Sequence, residues 1–136
     1  MPRLHGVLVL VVAALTLVAA GCGGSSDSEE SDGATPTEAI AEIATIRTAL
    51  DDAVAQVRAG NTDAADTTVG DAYLEHFEHV EDPLGDRDHD LMEELEEAIS
   101  TDLRNQITAG DDTAAIEASV ANIKSNLDRA VEVLQD

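Results

Sequence analysis

Bases, aromatics and sulfur are scarce in this chain of 136 residues. It carries seven Lys and Arg, four His, one Tyr, one Phe, no Trp and a single Cys. One cysteine leaves no disulfide to staple a fold. So few bases against 29 acids, a formal charge of −22, disfavour nucleic acid and anionic lipid and attract cations. With one Phe and one Tyr, a core has to be built from Ala, Val, Ile and Leu. Catalytic equipment is missing as well: no serine sits in a strained elbow, there is no phosphate loop, and the lone thiol lies at position 22. The chain is expected not to be an enzyme.

What is present begins at the amino terminus. Arg3 and His5 precede an apolar run from Val7 to Ala20, broken only by Thr16 and followed by Gly21-Cys22. A basic start, an apolar middle of this length and small residues before a cut read as a secretory signal over residues 1–21. Cys22 straight after Ala-Gly resembles the lipobox of prokaryotic lipoproteins. The resemblance implies cleavage before Cys22 and its diacylation, which would hold the chain on the outer face of a membrane, extracytoplasmic or periplasmic. Residues 22–35 then form the lipidated cysteine and an acidic tether of Gly, Ser, Asp and Glu, unable to bury surface. Thirteen such residues reach roughly 20 Å. Loss of Arg3 with the signal leaves six bases against 29 acids, a net −23. That charge fits cation capture, and equally an acid-rich proteome in which it only solvates.

Residues 36–136 read as all-α, an antiparallel up-down four-helix bundle. Thr35-Pro36-Thr37-Glu38 is a helix start with a threonine cap, proline at the first position and a reciprocal glutamate. Ile40, Ile43, Arg47, Leu50, Val54 and Val57 follow as a stripe with one arginine in it, and Gly60-Asn61 ends the helix. A second helix is expected from about Thr62 to Glu81, closed by Pro83 and Gly85. The third starts at Asp88 or Asp90 with the stripe Met92, Leu95, Ile99, Leu103 and Gln106, and stops at Gly110. The fourth carries Ile116, Val120, Ile123, Leu127, Ala130 and Leu134. Ala59-Gly60 and Ala64-Ala65 recur fifty positions on as Ala109-Gly110 and Ala114-Ala115, the mark a duplicated helical hairpin would leave.

The stretch Ala72–Asp82, AYLEHFEHVED, holds the only Tyr and Phe, two His and four acids. On a helix Tyr73, Phe77 and Val80 share one face as core, with Glu78 and Glu81 at its margins. Glu96 borders the stripe of the next helix, with Glu93 and Glu97 around it. The pairs Glu78/Glu81 and Glu93/Glu96 each project two carboxylates from one side of a helix, oxygen donors suited to iron, manganese or calcium. Arg47 is expected to approach Glu81 and Glu96 as structural support. His76 and His79, with His89 and an assisting Glu75, are candidate auxiliary ligands for zinc or copper, or surface histidines on an acidic helix. Asp86, Asp88, Asp90 and Glu97 occupy positions 1, 3, 5 and 12 of a calcium loop, although Leu91 stands where glycine is required.

Residues 71–99 resemble the extracytoplasmic helical domain associated with Ftr/Efe-type iron permeases. The likeness rests on Tyr73, Phe77, Glu78, Val80 and Glu81, followed by Glu93 or Glu96, and covers roughly residues 58–110. More distant is the likeness to imelysin-like proteins of the same uptake systems, since His79-Val-Glu81 is one residue short of their His-x-x-Glu motif. The resemblance implies a lipid-anchored accessory protein handling iron or another metal cation beside an uptake permease. Glu78, Glu81, Glu93 and Glu96 would be the ligands, and Tyr73 and Phe77 would set the packing. The alternative is a non-catalytic acidic interaction module docking an envelope protein without metal.

Overall fold

The structure, a computed structural model, describes residues 33–136. The expected signal, the lipidation of Cys22 and most of the tether lie outside the described residues. Those that are described fold as four helices with no strand among them: α1 (Pro36–Arg58), α2 (62–85), α3 (89–109) and α4 (Thr113–Gln135). The α1 start forms a full capping box. Glu38 N–H donates to Thr35 Oγ1, and the Thr35 N–H returns a bond to Glu38 Oε2 at 2.8 Å. Gly60 (φ 78°) and Gly110 (φ 74°) close α1 and α3 in the left-handed region, where a Cβ costs energy. Both ends carry the same bonds, Asn61 N–H to the Gln56 carbonyl and Asp111 N–H to the Gln106 carbonyl. A second parallel follows: Gln56 Oε1 accepts from Thr68 and Gln106 Oε1 from Ser119 on the next helix. The fifty-residue echo thus extends to cap geometry and to a side-chain latch across each link.

Each middle helix contains a wider π-helical turn, Ala72–Phe77 in α2 and Ala98–Asp102 in α3. The apolar spacing explains the one in α3. Its buried residues are Leu91, Leu95, Ile99, Leu103 and Ile107, four apart throughout. In an α-helix each step of four overshoots the turn by about 40°, so four steps would swing Ile107 round to about 160° from Leu91. A π turn absorbs one extra residue and returns the stripe to the core. The expected stripe is corrected at both ends: Met92 and Gln106 are only partly buried, and Leu91 and Ile107 take the core positions.

The end of α2 also departs from expectation. The helix continues through Pro83 to Gly85. Pro83 lies in the last turns, it is buried with Leu84, and its carbonyl accepts from Arg87 Nη1 at 3.0 Å. Burial there offsets the missing donor. Asp88, of the two candidates, caps α3, accepting from Leu91 N–H at 3.0 Å.

One aliphatic core runs through all four helices around the fully buried Phe77. Charge joins the helices at their margins. Along α1 the partners run Arg47, Asp51, Arg58, and along α4 they run Asp128, Lys124, Glu117. Each pair of residue numbers has the same total, so one register serves all three. Between α2 and α3, Arg104 clasps Asp66 with two bonds of 2.8 and 3.0 Å, its guanidinium crossing the bare Cα of buried Gly70. Asn126 is the one buried polar residue among the described ones, donating to Glu94 Oε1 at 2.8 Å and accepting from Arg129.

Candidate functional site

The π turn of α2 brings Tyr73 to the boundary between α2 and α3, its ring stacked on Phe77 with centroids 6.1 Å apart. From there the hydroxyl donates to Glu96 Oε1 at 3.4 Å. Glu81, two turns further along α2, completes the group. Its Oε1 is buried and has no hydrogen-bond partner. Burial first, and the Glu96 charge second, raise the Glu81 carboxyl above the usual carboxylate range, with the Tyr73 hydroxyl pulling the other way. The same surroundings push the Tyr73 phenol up to about 12, through burial first and then the charges of Glu81 and Glu96. Phenol and two carboxylates form one electrostatic unit, drawn from both middle helices.

No base neutralises this unit by a described ion pair. Arg47, expected near Glu81 and Glu96, pairs instead with Asp128 of α4. Its place in the sequence stripe does not put it in the core, because Ile46 and Leu50 take those positions and leave Arg47 on the margin. Arg104 is held by Asp66. The open side of Glu96 faces a shallow hollow of about 390 Å³ that it lines with Glu93, Glu97, Ser100 and Thr101.

The other expected ligands are not gathered here. His76 leans to α1, its Nδ1 2.6 Å from Glu42 Oε2. His79 and Glu78 are exposed on α2, and Glu93 is exposed on α3 beside His89 at 3.3 Å. The aspartates of the calcium pattern do not converge either: Asp88 is spent on the α3 cap, and Asp86 and Asp90 are exposed. Among the described residues, no three His, Cys, Asp or Glu side chains meet in a way that would hold a metal. What converges is a set of three oxygen donors in which one is a phenol. Sequence reasoning gave Tyr73 a packing role; its polar role was not legible, because a step of eight to Glu81 overshoots two α-helical turns by about 80° and the π turn between them draws the two together.

A family model described as a domain of unknown function, DUF5059, matches residues 14–136. The chain belongs to the DUF5059 family. No curated protein and no solved structure matches it. The family's description carries no function, and it lends no support to the iron-permease likeness of residues 58–110.

Proposed function

We propose that this DUF5059 chain is a lipid-anchored, extracytoplasmic, non-catalytic module that takes up a hard metal cation, iron among them, for an uptake permease. The observation that carries the reading is the buried, unpartnered Glu81 Oε1 beside Glu96, with no described base paired to either. A carboxylate with one oxygen left without a donor in a partly dry place is stabilised by a cation. Glu81 and Glu96 would bind it, and the Tyr73 oxygen is the third donor of the set. All-oxygen donors suit ferric iron, manganese or calcium better than zinc or copper(I). Anchoring rests on the sequence alone, on the apolar run to Ala20 and on Cys22.

The helices are proposed to run up and down as an antiparallel bundle. Support comes from the α1–α4 register, and from the α2–α3 contacts, in which Asp66 meets Arg104 and Tyr73 meets Glu96 in opposite order along the two chains.

Calorimetric titration of the protein with ferric citrate, Mn²⁺ and Ca²⁺ in moderate salt tests the cation reading. Saturable one-to-one binding is expected, and loss of it in Glu81→Gln/Glu96→Gln. Weak, salt-sensitive heats equal in both proteins would reject it. The second reading, an acidic module that docks an envelope protein without metal, is favoured by one observation. Residues 62–109 hold fifteen acids and two bases, and most of their carboxylates are exposed.

A further inference from the structure

The seam between α1 and α4 opens into a groove of about 600 Å³. Three charged rungs bridge this seam between Arg47 and Arg58, and among the described residues none is found beyond Arg47–Asp128. Continuing the same register sets Ala44 across from Val131 and Ile43 across from Glu132. Ile40, Ala44 and Val131 line the groove, and Ile40 and Val131 are hydrophobic side chains that the fold leaves only partly buried. Glu132 stands on its rim, exposed and without a basic partner among the described residues, where the pattern of the rungs calls for one. The groove also lies in the first three turns of α1, close to where residues 22–35 join the helix.

We infer that this groove docks a basic amphipathic helix of another protein, which lays aliphatic side chains on Ile40, Ala44 and Val131 and sets a Lys or Arg against Glu132. Charge selects the occupant. A net of −23 outside the signal region repels a second copy and draws in a cationic partner. The apolar floor supplies what charge alone does not, an area to be removed from water. The inference is independent of the cation reading, because it uses neither Glu81 nor Glu96.

The test uses the full chain in zwitterionic nanodiscs and a fluorescently labelled 18-residue helical peptide of Leu and Lys, with empty discs as the blank. Saturable binding is expected, weakened about tenfold or more by Glu132→Lys and by Val131→Asp/Ala44→Asp. Glu97→Lys, the same charge change on α3, is expected to shift affinity less than threefold. Equal weakening by Glu132→Lys and Glu97→Lys would mean that the peptide senses only net charge, and would overturn the inference. Sedimentation showing a dimer that Val131→Asp/Ala44→Asp dissolves would overturn it too, by giving the groove to a second copy.

Discussion

Tyr73 is the only phenol in the chain, and with no tryptophan the phenol and phenolate absorbance bands belong to a single side chain. Its ionisation therefore reads the Tyr73–Glu81–Glu96 unit directly. The folded phenol is pushed up to about 12 from 10.0. A raised value means that its contribution to stability is intact below the unfolded phenol's range and is lost as pH rises through about 12. Phenolate absorbance should give a native midpoint near that value. Glu81→Gln/Glu96→Gln should move it down part of the way, leaving the share due to burial. A native midpoint at the ordinary phenol value would contradict the geometry. Glu81 obeys the same sign. Its folded carboxyl is raised, so the stability it gives is present in acid and lost as pH climbs through the folded value. Above the folded value the ionised group opposes folding. Glu81→Gln is expected to stabilise by about 1 kcal/mol there, the low end for an unmet buried polar atom. Thermal melts should show the gain vanishing in acid. A destabilised variant at neutral pH would mean that the carboxylate is already satisfied.

At the scale of the element, Gly70 offers a clean test of α2. A Cβ built there meets Arg104 Cζ at 3.4 Å, an ordinary contact, and the residue sits within a helix with negative φ. Gly70→Ala should therefore stabilise by up to about 1 kcal/mol through helix propensity, measured by urea unfolding. A loss of that size would show that the Asp66–Arg104 clasp needs the bare backbone. Helix boundaries were legible in the sequence wherever a local signal decides them, as at Thr35–Glu38, Gly60 and Gly110. The α4 stripe was legible too, all six of its predicted apolar residues being buried. Met92 and Gln106 misled because a 3.6-residue period was imposed on a helix whose true apolar step is four. That step, from Leu91 to Ile107, was itself the trace of the π turn. Asn126 was missed because an apolar stripe does not count a polar residue, although Asn126 stands three after Ile123 and four before Ala130; its bond to Glu94 accounts for its burial. Glu81 and Glu96 were legible as margin residues. Their meeting depends on how α2 and α3 slide past one another, and a one-helix pattern does not contain that.

For the whole molecule, the balance of charge decides how salt acts. Residues 33–136 carry 25 acids and six bases. Four of the bases are spent on carboxylates of another helix; three of those pairs have at least one side chain well exposed to water, and Arg104–Asp66 is part-buried. Exposed pairs contribute roughly 0–1 kcal/mol each, and screening them costs little. The remaining carboxylates repel one another across a small domain, and most of this repulsion acts over distances that salt reaches. Raising ionic strength from about 0.1 M to about 1 M shrinks the screening length from about 10 to about 3 Å. The relief of repulsion should outweigh the weakened rungs. A net gain of about 1–2 kcal/mol is expected, which for a domain of this size is roughly 5–10 °C in Tm. The comparison should use NaCl against KCl, since neither offers the hard multivalent cation proposed for Glu81 and Glu96. Equal shifts in the two salts mark screening. A fall in Tm with salt would mean that the α1–α4 rungs and the Arg104 clasp hold the helices together more than the acids push them apart.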